Sequence, residues 1–462
     1  MTVTIKNLGA IKDATIELGG LTMFVGPNGT GKSYLAKVLY GLQRHETITG
    51  SFFKNADRFY QMVFGKSLST FQDAFSDLQQ LKPVDLRKIL SDLANLHAEL
   101  FKEQLADFFN DDSNIFSDTL IFYSNIPELS DDKLRNIIDL AIEQVNSWLN
   151  AQASTTLLTP RNDISPESVP FALLWHLFWG VGGGLADYFP AARSNFMLTY
   201  KEIYRARADE SVGLENVSDK LLLASKGVQT RKAGKLIRFD KPTEDFLGRL
   251  YDLDVSTNSS LSKIGVNLQK RLYNNDRIVI EQPEGGSLLD FKFHINSDLA
   301  SGKIRLHLAS SMVTETSPLL LGFWHWVQPN SLVIIDEPES HLHPEAQRSL
   351  ISGLAEAVNQ GLQLILITHS PYILSCVNNL IKFSNLIKNF PEDEEVSQLK
   401  TEYPDLIAID KPVHAYHFGR DGLVKDILLE SGLIDEAEFT EPFDRINDLY
   451  QTMRDIEWEH RK

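Results

Sequence analysis

Only one cysteine, Cys376, occurs in 462 residues. No internal disulfide can form, and zinc knuckles and secreted disulfide frameworks are excluded. Positive charge is also short. Lys and Arg number 45 against 62 Asp and Glu, a formal net charge of −17. A surface that bound DNA throughout would be basic, so global electrostatics argue against one and leave only a local patch open. Internal repeats and low-complexity tracts are missing. So is an uninterrupted apolar run of membrane length. The nearest stretch, residues 169–186, holds no acid or base other than His176, but Gly180 and Gly182-Gly183-Gly184 break it. It reads as a buried helix followed by a turn rather than a membrane span, and no membrane partner is expected. The chain opens on a strand-like Val3-Thr4-Ile5-Lys6 without a basic-then-apolar leader, so a cytoplasmic location is expected.

What is present suffices for a large core, since 43% of the residues are hydrophobic. The length suggests two or three domains. Residues 1–45 read as strand, strand, glycine loop, helix. Residues 46–180 form a mainly helical insertion, with apolar residues at helical intervals from Leu86 to Phe109 and from Leu134 to Leu149. Residues 181–390 return to strands alternating with helices. Near-continuous apolar strands at Ser331–Ile335 and Leu362–Ile367 imply a parallel sheet covered on both faces, an α/β fold. An antiparallel hairpin is expected over Arg277–Ile280 and Phe291–Ile295, and another strand over Lys303–Leu308. Residues 391–462 read as an acidic helical tail.

Three motifs carry chemistry. Gly26-Pro27-Asn28-Gly29-Thr30-Gly31-Lys32-Ser33 is a complete P-loop pattern between an apolar strand and a helix. Its glycines let successive N–H groups from Asn28, Gly29, Thr30 and Gly31 face one anion, and the helix N-terminus adds its dipole. Lys32 would reach the β- and γ-phosphates of ATP, and Ser33 would ligate Mg²⁺. Next, Leu332-Val333-Ile334-Ile335-Asp336-Glu337 ends an apolar strand on two carboxylates, at the edge where open parallel sheets bind ligands. Asp336 is placed to hold Mg²⁺ through water and Glu337 to take a proton from, or orient, the attacking water. Finally, Leu364-Ile365-Leu366-Ile367-Thr368-His369 sets a histidine at the end of the next buried strand, in reach of a γ-phosphate.

Two segments are less specific. Ser310-Ser311 opens a helix and offers hydroxyls and free N–H groups to a phosphate, or serves as an ordinary cap. Glu339, His341 and His343 could be read as metal ligands, but they lie in a turn before a helix and lack partners elsewhere.

Together, in this order, the motifs resemble ABC-type ATPase heads of the branch that groups overcoming-lysogenisation-defect (OLD) proteins, RecF and SMC-like ATPases. The resemblance covers roughly residues 1–45 and 185–385 and leaves the helical insertion uncovered. It implies that the P-loop of one subunit and the signature serine of another sandwich ATP. Ser310 and Ser311 match the signature, although Met312 stands where glycine is usual. Ser340-His341-Leu342-His343-Pro344 matches the inter-subunit loop, and His369 the switch histidine. Tyr188-Phe189-Pro190-Ala191-Ala192-Arg193-Ser194 is similar to a further motif of the branch. The glutamine of the Q-loop has no unique candidate.

The resemblance further implies ATP hydrolysis in a head-to-tail homodimer or larger homo-oligomer. OLD nucleases carry a Toprim domain, and the roughly 90 residues after His369 lack its paired-aspartate strand. Stand-alone ATPases of this kind resemble subunits of bacterial anti-phage systems such as PARIS and Septu, in which the ATPase is sensor or scaffold for a separate effector, often a nuclease. The alternative is a RecF-like repair ATPase that binds duplex DNA through Lys220, Lys226, Arg231, Lys232, Lys235, Arg238 and Lys241. A transporter head is disfavoured by the long insertion.

Overall fold

The computed structural model describes residues 2–111, 114–125, 129–154, 166–175, 186–200, 203, 238–273, 277–281, 292–296 and 303–461. Twelve strands run in chain order through this part: β1 (Thr2–Leu8), β2 (Ile11–Glu17), β3 (Leu21–Val25), β4 (Leu120–Asn125), β5 (Ala186–Phe189), β6 (Arg277–Glu281), β7 (Lys292–Asn296), β8 (Lys303–Arg305), β9 (Leu332–Asp336), β10 (Gln363–Thr368), β11 (Val413–Phe418) and β12 (Val424–Asp426). They form a six-stranded sheet of order β12-β11-β3-β10-β9-β5 and two three-stranded sheets, β2-β1-β4 and β6-β7-β8. In the large sheet only the β11–β12 pair is antiparallel.

The central strands are buried on both faces, so their side chains sort by the two-residue period of a strand into two cores. Phe24, Leu332, Ile334, Ile365 and Ile367 enter one hydrophobic cluster. Their neighbours Met23, Val25, Val333, Ile335, Leu364 and Leu366 enter the other. The first cluster continues into the insertion through Phe59, Leu86, Leu93, Phe101 and Ile137. The second runs through helices Lys241–Tyr251, Ser262–Tyr273, Ser311–His325, Pro344–Asn359 and Pro371–Asn389. The architecture is therefore α/β, a mainly parallel sheet between two layers.

Three sequence expectations differ from the fold. The insertion is largely helical but returns to the head through β4, which pairs antiparallel with β1. Residues 303–308 leave the extended conformation after Arg305 and close a 3₁₀ turn over Leu306–Leu308. Residues 391–462 hold helices Glu394–Glu402 and Ala437–Arg461, yet also β11 and β12. Strand β11 pairs parallel with β3, His417 level with Val25. Two histidines in Val413-His414-Ala415-Tyr416-His417-Phe418 dilute its apolar signal, and neighbouring strand β3 supplies the order that local pattern lacks. In the apolar stretch 169–186, Ser168–Trp175 is helical and 176–185 lies outside the described residues. Among the described residues no helix is long and apolar enough to cross a membrane.

Candidate functional site

Parallel pairing fixes which residues meet at the C-terminal edge of the sheet. Thr368 lies level with Val25, and Ile367 with Asp336. The glycine loop after β3, His369 after β10 and the carboxylates ending β9 therefore share one edge. The loop needs its glycines. Gly26, Gly29 and Gly31 have φ of 131°, 77° and 97°, left-handed values that a side chain disfavours. A Cβ on Gly31 would sit 2.7 Å from Ile11 Cγ1, and one on Gly26 would sit 2.6 Å from the Phe418 carbonyl oxygen. Thus β11, unrecognised in the sequence, forms one wall of the loop.

Lys32 opens helix Lys32–Gln43 with its ammonium curled under the loop. It donates to the carbonyls of Gly26 (2.8 Å) and Pro27 (2.7 Å). Thr30 Oγ1 donates to the same Pro27 carbonyl at 2.9 Å. Burial pulls the Lys32 amine down to about 8, against the opposing pull of Asp336, Glu337 and Glu339. Asp336 is buried, and burial raises its carboxyl above the usual range, while hydrogen bonds from Ser33 and Tyr188 oppose the rise. The Tyr188 hydroxyl stands 2.9 Å from Asp336 Oδ2. An aliphatic hydroxyl and a carboxylate facing one space are hard oxygen donors, the kind Mg²⁺ takes. Among the described residues no cluster of three or more His, Cys, Asp or Glu could hold a metal ion.

Glu337 has φ 49°, an uncommon conformation for a residue with a side chain. It is held there. Its N–H donates to the Ile367 carbonyl (2.9 Å), and Ser340 Oγ donates to its Oε2 (3.0 Å). Glu339 reaches across to β10, where its Oε1 accepts from Thr368 Oγ1 and from the His369 N–H, both at 2.8 Å. His343 caps helix Pro344–Asn359 by accepting from the Glu345 N–H at 3.4 Å. Glu339 and His343 thus have structural partners in this turn.

Behind β9 lies a side chain that the sequence motif contained but did not explain. Arg193, fully buried, follows β5. Its Nη1 donates to the Asp336 carbonyl (2.7 Å) and its Nη2 to the Glu337 carbonyl (3.1 Å). Its Nε donates to the Glu315 carbonyl (3.1 Å), and Nη2 pairs with Glu315 Oε1 at 3.1 Å. The sequence around Glu315, flanked by Thr314 and Thr316, carried no signal of burial, and a charge of this kind is buried only when paired.

Ser310 and Ser311 sit at the exposed start of helix Ser311–His325. Their described hydrogen bonds all lie in that helix's first turn, from Val313 N–H, Thr314 N–H and Thr314 Oγ1. Neither serine bonds to the P-loop of its own chain among the described residues. The basic segment is only partly visible. Its residues from Lys220 to Lys235 lie outside the described residues, and Lys241 pairs with Asp245 at 3.3 Å.

A family model described as "AAA ATPase domain" matches residues 1–279, more than half of the chain. A second, described as "AAA domain, putative AbiEii toxin, Type IV TA system", matches residues 201–375. No curated protein matches. Similar solved structures include an SMC head bound to the C-winged helix domain of ScpA, at 11% identity and TM-score 0.33, covering 92% of this chain and 96% of that one. An SMC head with an extended coiled coil, bound to the C-terminal domain of ScpA from Pyrococcus furiosus, matches at 11% identity and TM-score 0.32, covering 96% and 98%. An SMC head with a coiled coil and joint from Pyrococcus yayanosii matches at 10% identity and TM-score 0.30, covering 92% and 96%.

Proposed function

The chain belongs to the AAA ATPase domain family, and on that premise we propose that it binds and hydrolyses MgATP as a head-to-tail dimer and controls a separate effector. The observation that carries this reading is the shared sheet edge, with the glycine loop, His369 and Asp336-Glu337 held level by parallel register. Backbone N–H groups of Asn28, Gly29, Thr30 and Gly31 bind the phosphates, and Lys32 exchanges its two loop carbonyls for phosphate oxygens. Ser33 and Asp336 would hold Mg²⁺, which would supply charge neutralisation at the phosphate oxygens. Glu337 accepts the proton of the attacking water, and its fixed backbone keeps that carboxylate in place. His369 contacts the terminal phosphate from the end of β10. Ser310 and Ser311 complete the site of a second copy, which accords with their exposed, outward-facing turn.

Two experiments test the catalytic part. Lys32→Ala should abolish ATP binding by calorimetry, and retained affinity would sink the site assignment. Glu337→Gln should bind ATP, fail to hydrolyse it and elute as a stable dimer. Normal turnover in that variant would remove Glu337 as the base.

The effector part draws on the resemblance to OLD-like defence ATPases and on the toxin–antitoxin wording attached to the second family model. The reading is antiviral defence with a nuclease as effector. Co-purification of the neighbouring gene's product with the chain tests it, and recovery of nucleic acid alone would favour the repair alternative.

A further inference from the structure

The buried Arg193–Glu315 pair is a poor device for stability alone. Both side chains are shielded, at 0% and 1% exposure, and an apolar pair of similar volume would pack as well without the desolvation cost. Among the described residues neither Glu315 carboxylate oxygen has an aligned hydrogen bond, although one lies 3.1 Å from Nη2. What the pair does is join two elements. Glu315 lies four residues after Ser311, one helical turn along the same rigid helix. Arg193 grips the carbonyls of Asp336 and Glu337, the peptide whose second residue has the left-handed φ of 49°. The guanidinium fork alone reaches both carbonyls and Glu315 at once, which a lysine ammonium cannot do in one plane.

We propose that Arg193 is a positioning residue that ties each signature helix to the acidic pair of the same chain, so that Ser310-Ser311 engaging a partner copy's nucleotide sets the geometry of Asp336-Glu337 in the chain's own site. The coupling rests on the reading of Ser310 and Ser311 as the contact made in trans. Movement of helix Ser311–His325 is transmitted through Glu315 to Arg193 and so to two backbone carbonyls at the carboxylates. The two ATP sites of a dimer then fire together.

Mixed dimers, made by co-expressing two differently tagged chains, test this with an informative asymmetry. Wild-type chains are assayed first. Failure to dimerise with ATP or to hydrolyse it would end the dimer reading itself rather than the coupling. Glu337→Gln then silences one site at a time. With Glu315→Gln and Glu337→Gln on the same chain, the active acidic pair belongs to the unaltered partner, and hydrolysis should persist at about the rate of the Glu337→Gln/wild-type control. With the two substitutions on opposite chains, the active acidic pair has lost its link, and kcat should fall tenfold or more. In that dimer nucleotide KM should stay within about threefold. The Hill coefficient for ATP in full Glu315→Gln dimers should drop towards 1. Equal losses in both arrangements, the reverse asymmetry or no loss would each overturn the proposal. Should Glu315→Gln fail to fold, Arg193→Lys keeps the charge without the fork and is read in the same two arrangements.

Discussion

Replacing Asp187 by Asn isolates the cost of one buried carboxylate. Asp187 sits in β5, 5% exposed by side chain, with Arg249 Nε 3.4 Å from Oδ1 and a side-chain hydrogen bond from Trp326. Burial pushes its carboxyl from 3.8 up to about 6, and Arg249, 42% exposed, together with the hydrogen bond from Trp326 offsets only part of that. The folded value exceeds the unfolded one, so protonation favours the fold. The stabilisation is therefore complete below about pH 4 and is lost as pH rises through about 6. A difference of about two pK units corresponds to ~3 kcal/mol. Asn keeps the shape and an acceptor but carries no charge, so it should match wild type at pH 4 and exceed it by up to ~3 kcal/mol at pH 8. Urea unfolding from pH 4 to pH 8, read as the midpoint at constant slope, measures this directly. A variant less stable than wild type at pH 8, or a difference that ignores pH, would refute the reasoning and make Arg249 the dominant partner.

Gly31→Ala should lose nucleotide affinity by more than about 100-fold in a fluorescent-ATP titration, since the methyl meets Ile11 at φ 97°. Gly41→Ala should destabilise by ~2 kcal/mol or more in urea, because a Cβ there would stand 2.1 Å from Phe101 Cζ, where the insertion packs on helix Lys32–Gln43. Unchanged stability would mean that this contact can relax freely. Glu339→Ala should leave ATP binding intact but lower kcat about tenfold, as two charge-assisted hydrogen bonds to β10 are lost and His369 is released. Steady-state kinetics beside a binding isotherm separate the two effects.

The chemistry of the candidate site was legible because it is local. A glycine loop between an apolar strand and a helix, and a strand ending in two carboxylates, need only their own neighbours in sequence to be read. Periodicity likewise gave the insertion helices and the buried strands β9 and β10, whose apolar runs are long and unbroken. Less was visible where partners come from far along the chain. Strand β11 is half polar by composition and is a strand because β3, nearly four hundred residues earlier, pairs with it. Glu339 looked like a metal-ligand candidate in isolation, and only the fold sets it against Thr368 and His369.

Sequence by itself determined the residue types at the sheet edge: glycines that permit left-handed backbone, an amine, hydroxyls and carboxylates. Only tertiary structure decided that three parallel strands would bring them level, that Glu337 would be held at φ 49°, and that Arg193 would be buried against it. The physical reason is that a charge leaves water only when its partners are already in place, and those of Arg193 come from β9 and from helix Ser311–His325.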